Sequence, residues 1–124
     1  MNQDATTAVR RVIRDVDPTE VRDLLEHPPR ATVAFTAAGE VEVLPVRAVA
    51  RDGVDTFAVR PDAPDLADRE VVLVRDDGPY YFQLRGVTVR GIARRAPHES
   101  GNVIWYSIEP RRVLAWDYGA MRAV

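Results

Sequence analysis

The stretch Leu84-Arg85-Gly86-Val87-Thr88-Val89-Arg90-Gly91-Ile92-Ala93 decides how this chain is read. Leading into it, Tyr80, Phe82 and Leu84 alternate with Tyr81, Gln83 and Arg85, the period-two pattern of a strand with two unlike faces. Gly86 and Gly91 then interrupt the strand. Glycine weakens a flat strand but permits a sharp bend or a close backbone approach. A long strand over 80–95, bent twice, suits a small closed barrel whose sheet must coil on itself.

The segments on either side fit that expectation. Ala31-Thr32-Val33-Ala34-Phe35-Thr36-Ala37, a turn at Ala38-Gly39 and a second arm over 40–49 read as a hairpin with alternation on both arms. Pro45 cannot donate to a ladder, so it belongs at an edge or a bulge. Arg51-Asp52-Gly53 turns the chain into a strand over 54–60, and 61–68 reads as a loop or short helix. Val71-Val72-Leu73-Val74 is apolar without alternation, the pattern of a strand buried on both faces. Asp76-Asp77-Gly78-Pro79 leads into the long strand, and two further strands are expected at 103–108 and 113–116, separated by Pro110-Arg111-Arg112. Asp17-Pro18-Thr19-Glu20 is a helix start, with Asp17 as cap and Pro18 at the first helical position. Val21, Leu24 and Leu25 give that helix an apolar face, and Pro28-Pro29 ends it. The expectation is a mainly β, antiparallel barrel of six or seven strands, with helix 18–27 covering one end. Residues 1–16 form a polar arm or frayed helix, and 17–124 form the domain.

Composition narrows the chemistry. At 124 residues, with 46% hydrophobic and 29% charged residues, the chain is sized for one globular domain. A net charge of -2 gives no general attraction to nucleic acid or to an anionic membrane. No apolar run approaches a membrane span, and Met1-Asn2-Gln3-Asp4 has no signal-peptide character, so a cytoplasmic protein is expected. Cysteine is absent, which removes disulfides, thiolate metal sites and a cysteine nucleophile. All 17 basic residues are arginine, which removes Schiff-base chemistry and leaves arginine or backbone amides to hold any anion.

The order of these pieces resembles the flavin-binding split β-barrel family, the pyridoxamine 5'-phosphate oxidase-like proteins and their deazaflavin-using relatives. The similarity rests on the first hairpin with Pro45-Val46-Arg47, the strand 54–60, the strand 71–74, the glycine-bearing strand ending in Gly91-Ile92-Ala93, and the closing Pro110-Arg111-Arg112-Val113-Leu114-Ala115-Trp116-Asp117-Tyr118. The resemblance implies a homodimer with FMN, or a deazaflavin coenzyme, in grooves at the interface, and an oxidoreductase activity on an unassigned small molecule. It places Pro45, Val46, Arg47, Val59, Arg60 and Trp116 against the cofactor, and the cofactor's phosphate in the loop after Arg60. That loop departs from the family pattern: Pro61-Asp62-Ala63-Pro64-Asp65 carries two carboxylates, and no base follows until Arg69. A phosphate dianion beside Asp62 and Asp65 is repelled. Gly86 stands where the oxidase proper has an amide, which argues against pyridoxamine phosphate as substrate. The alternative reading is a non-catalytic dimer that has lost the cofactor or carries it as a sensor.

Other residues invite weaker readings. Trp105, Tyr106 and Trp116 offer rings for stacking but equally suit a core or a dimer contact. His27 beside two prolines suits a helix C-terminus, and His98 lacks a clustered partner for a metal. Ser100 and Ser107 have no histidine–carboxylate arrangement for serine hydrolysis. No metal site and no acid–base residue is assigned.

Overall fold

Two tight turns set the register of four strands. In the computed structural model, which describes Asp23, Pro28 and residues 30–77, 85–97 and 102–117, strands β1 (Arg30–Ala37) and β2 (Glu40–Pro45) are joined by Ala38 and Gly39. Strands β3 (Arg47–Arg51) and β4 (Val54–Val59) are joined by Asp52 and Gly53. All four linking residues have positive φ, 53° and 81° in the first turn and 52° and 78° in the second. Both central residues at positive φ is the two-residue hairpin geometry that matches the twist of paired strands. Three longer strands follow: β5 (Glu70–Asp77), β6 (Arg85–Arg95) and β7 (Ile104–Asp117).

All neighbouring strands are antiparallel, and the sheet order is β2-β1-β5-β6-β7-β4-β3. Consecutive strands β2 and β3 therefore occupy opposite edges, with Val46 alone between them. Laid flat, seven strands would separate those edges by six spacings, about 29 Å. Two residues of extended chain span at most about 7 Å. The sheet must roll until its edges meet, and the Val46 amide donates to the Ala31 carbonyl at 3.0 Å where they do. The expected second hairpin arm over 40–49 is accordingly two strands. Its first part ends at Pro45, and its second pairs with β4.

Gly86 and Gly91 serve close approach. A Cβ on Gly86 would strike the Trp116 indole and sit 2.9 Å from the Arg75 carbonyl; one on Gly91 would strike the Glu109 carbonyl. At Gly91 the ladder shifts: Arg90 faces Arg112 while Gly91 faces Pro110, leaving Arg111 as an extra residue. The bulge absorbs Pro110, so the two strands expected at 103–108 and 113–116 are one strand of 14 residues. Strand β4 pairs with β7 only as far as Ser107, so at Pro110 the β4 side has no ladder to interrupt.

The inner face carries the core of Val33, Phe35, Leu66, Val71, Leu73, Val87, Val89, Tyr106 and Ile108. Phe57 and Tyr106 stack within it, ring centroids 5.4 Å apart. Strand β5 corrects an expectation: it alternates, with Val71 and Leu73 buried and Val72 and Val74 half-buried. The interior of the curled sheet is filled, and its second face carries a smaller buried cluster of Ala58, Ala96 and Trp105. Cross-strand partners share a face, so the outer face has the rows Val43–Ala34–Val72–Arg90–Arg112, Pro45–Thr32–Val74–Thr88–Leu114 and Arg30–Asp76–Gly86–Trp116. No helix among the described residues is long and apolar enough to cross a membrane. The arm 1–16, the residues 78–84 that begin the expected long strand, His27, His98, Ser100 and Tyr118 lie outside the described residues. So does helix 18–27 apart from Asp23, which is helical and accepts hydrogen bonds from Arg85 at 3.2 and 2.5 Å.

One interior position breaks the apolar pattern. Arg75 on β5 is fully buried and donates to Asp55 Oδ1 at 2.6 Å, while its Nε and second terminal nitrogen have no partner among the described residues. Asp55 is the counter-ion to this buried guanidinium, and the core depends on it. Asp55→Ala is expected to cost about 3 kcal/mol, the low end for breaking a buried pair because the Asp55 side chain is 20% exposed. The double variant Asp55→Ala/Arg75→Met should recover most of that loss in urea unfolding; a double variant no better than the single would show that the charge is compensated elsewhere.

Candidate functional site

The groove follows from the seam. Where the sheet's edges meet, Pro45, Val46 and Arg47 at the β2–β3 junction face Ala58, Val59 and Arg60 at the end of β4, with Asn102 and Val103 alongside. These residues enclose a cavity of about 480 Å³, within the usual size of small-molecule sites. A second cavity of about 270 Å³ continues it past Leu44, Pro45, Val59 and Arg60 to Asp62, Ala63 and Pro64. Val46 and Val59 supply apolar wall, Val59 buried and Val46 half-buried. Arg47 lies opposite Ala58 in the β3–β4 ladder, is exposed and makes no ion pair among the described residues. Arg60 is exposed too, but donates to Asp62 at 2.9 Å. Five of the six residues expected at a cofactor thus line one groove. Trp116 does not: it stands on the outer face with its ring over Gly86. Tyr106 is a core residue, and the Trp105 ring lies under the Arg51 guanidinium at 5.3 Å.

The acidic loop 61–68 is largely occupied with its own architecture. Asp65 Oδ1 accepts from the Ala67 amide at 3.0 Å and from the Tyr106 hydroxyl at 3.1 Å. The same hydroxyl accepts from the Leu66 amide at 3.0 Å, and Leu66 is fully buried. Asp68 pairs with Arg94 at 2.6 Å, and Arg94 also binds Glu109 at 2.7 Å. Arg69 turns away from the groove, lying over the Phe35 ring and donating to the Thr36 carbonyl. Of the loop's carboxylates, Asp62 alone lines the groove among the described residues. The Ala67 amide and then the Tyr106 hydroxyl hold the Asp65 carboxyl below its ordinary value. Burial, with the hydrogen bond to Asp65, holds the Tyr106 phenol above its own, although the Leu66 amide pulls the other way.

Ala58 and Asn102 were not among the expected site residues. The two-residue turn Asp52-Gly53 carried the signal for Ala58, because that turn places Arg47 directly across from it. Nothing local in the sequence marks Asn102.

No protein-family model and no curated protein matches this sequence. Solved structures do match its shape. A conserved hypothetical protein from Mycobacterium tuberculosis aligns with a TM-score of 0.72 at 16% identity, covering 91% of this chain and 92% of that one. The FAD-binding protein from Mycobacterium smegmatis aligns at 0.66 and 19% identity over 80% of this chain and 94% of its own. An FAD-binding protein from Mesorhizobium loti aligns at 0.60 and 14% identity, covering 83% and 96%. The chain has the split β-barrel fold of these flavin-binding-like proteins. In this split barrel the split is the seam at Val46, and the groove runs along it.

Tyr106→Phe is expected to leave the buried Leu66 amide unpaired and to lower stability by about 1–3 kcal/mol. The sign of the alkaline effect follows from the raised phenol. The folded state holds that proton more tightly, so the stability linked to it is present below pH 10.0 and is lost as pH rises towards the folded value. Unfolding curves of the wild type should carry an alkaline slope that Tyr106→Phe reduces; parallel pH profiles would refute the assignment.

Proposed function

We propose that the seam groove holds a flavin-type cofactor, FMN or a deazaflavin, and that the protein is an oxidoreductase acting on a small molecule. The observation that carries this is an apolar-walled groove at the split of the barrel with Arg47, which makes no ion pair among the described residues, on its wall. Support comes from two proteins of the same fold whose names say they bind FAD. The groove's residues fit such a group: Val46, Ala58 and Val59 offer an apolar surface for a ring system, and Arg47 offers a planar fork to an anionic substituent. Arg60 can join only by exchanging its contact with Asp62. When bound, the cofactor supplies hydride or electron transfer, and the chain binds, orients and shields it. Pyridoxamine phosphate is a poor candidate substrate, because Gly86 stands where the resemblance expects an amide side chain and the Trp116 ring and the Arg75 carbonyl leave no room for one.

A second reading is favoured by the Arg60–Asp62 pair, an internal substitute for a phosphate contact. On that reading the barrel carries or senses a cofactor without catalysis, or has lost it. Both readings take the protein to be a homodimer, with a second copy on the apolar outer face around Val74, Leu114 and Trp116.

Side-by-side titration of FMN, FAD and a deazaflavin, followed by fluorescence and calorimetry, tests the site. Arg47→Ala should weaken the best of them by about tenfold or more, roughly 1.5–3 kcal/mol. Arg60→Ala should cost less, since Arg60 already spends its charge on Asp62, and Asp62→Ser should tighten binding. No binding of any of the three would leave the degenerate barrel as the reading. Light scattering should report a dimer that Leu114→Asp converts to a monomer; a monomeric wild type at micromolar concentration would rule out the dimer.

A further inference from the structure

The outer face of the sheet carries two facing arginines beside a groove, away from the seam. Arg90 on β6 and Arg112 on β7 are directly opposite each other in the ladder, both exposed, and neither makes an ion pair or hydrogen bond among the described residues. Like charges directly opposite across antiparallel strands are destabilising. Four other strand arginines have carboxylate partners: Arg30 with Asp76, Arg75 with Asp55, Arg85 with Asp77 and Asp23, Arg94 with Asp68 and Glu109. At Arg90 and Arg112 the sheet leaves two cations facing each other, and the bulge adds exposed Arg111 beside them.

Next to this pair is a groove of about 340 Å³, walled by Ala34, Val41 and Val72 with Arg90 at its rim. Val41 and Val43, on the adjoining edge strand, are 71% and 59% exposed, the most exposed large apolar residues among those described. Arg90 at the groove, with Arg112 across the ladder just beyond it, and an apolar wall are complementary to a molecule with both characters. Glu70 also lines the groove, diagonal to Arg90 across the β5–β6 ladder. Its carboxylate makes the site less hospitable to a multiply charged head than to a single negative charge.

We propose that this groove binds a small hydrophobic carboxylic acid, its carboxylate held between Arg90 and Arg112 and its apolar body lying along Ala34, Val41 and Val72. Guanidinium groups take carboxylates with paired, parallel hydrogen bonds, and a bridging anion removes the repulsion that the ladder otherwise imposes. The proposal is independent of what occupies the seam. It is compatible with a second copy on the outer face, because a two-fold axis through the arginines would bring four like charges together. That places the axis nearer Leu114 and Trp116.

Octanoate is a suitable probe, titrated into the full-length protein by calorimetry, with acetate and octanol as controls. Octanoate should bind, and both controls should bind at least about tenfold more weakly, one lacking the apolar body and the other the charge. The variant Arg90→Gln/Arg112→Gln, which removes only exposed side chains and relieves a repulsion, should keep its unfolding midpoint while losing octanoate affinity by at least about tenfold. Arg47→Ala, in the seam, should leave octanoate binding unchanged. The inference is overturned if octanoate does not bind at millimolar concentration, if acetate binds as well as octanoate, if the double variant binds it normally, or if Arg47→Ala abolishes the binding.

Discussion

Everything distinctive in this fold depends on one short connection. Strands β2 and β3 are adjacent in the chain and at opposite edges of a seven-stranded sheet, and Val46 is the whole link between them. Backbone geometry leaves no flat solution, so the sheet closes on itself, and Pro45 ends one ladder as the other begins. At the closing point the ends of β2, β3 and β4 and the approach to β7 converge, and no further strand among the described residues covers them. A groove at the seam is therefore a consequence of the connectivity, before any side chain is considered.

The side chains then differentiate the two faces of the sheet. Inside, large apolar residues fill the barrel, and one buried charge, Arg75, is tolerated because Asp55 reaches it from β4. Outside, Val72, Val74, Leu114 and Trp116 remain half-buried, with Arg90 and Arg112, which make no ion pair among the described residues, between them. The outer face is therefore mixed, with more apolar surface than an antiparallel sheet with one side in water usually carries. The two glycines of β6 belong to the same arrangement. Gly86 makes room for the Trp116 ring, and Gly91 lets the bulged β7 backbone come close enough to stay paired past Pro110.

Charge in the chain is distributed by local need. The carboxylates at Asp65 and Asp68 look hostile to an anion when read as a run, yet one caps its own loop under the Tyr106 hydroxyl and the other neutralises Arg94. Only Asp62 competes for a groove arginine. The electrostatic character of the seam is thus set by Arg47 against a self-paired Arg60, a milder environment than the loop's composition implies.

Most strand positions along the chain, both hairpin turns and the importance of Gly86 and Gly91 were legible in the sequence, because each is a local property: alternation, turn chemistry and a missing side chain act over a few residues. Pro45, Val46, Arg47, Val59 and Arg60 were singled out by the family resemblance and not by any local pattern; they share a groove because the Asp52-Gly53 turn brings the two strands carrying most of them side by side. Only the tertiary structure decided the rest. The split of the second hairpin arm at Val46, the fusion of two expected strands into β7 through a bulge, and the removal of Trp116 to the outer face all depend on which strand lies beside which. The same is true of the partners of Asp65 and Asp68, of the buried Arg75–Asp55 pair, and of the meeting of Arg90 with Arg112. These pairings join residues distant in sequence, so no local pattern encodes them; they exist only once the sheet has closed.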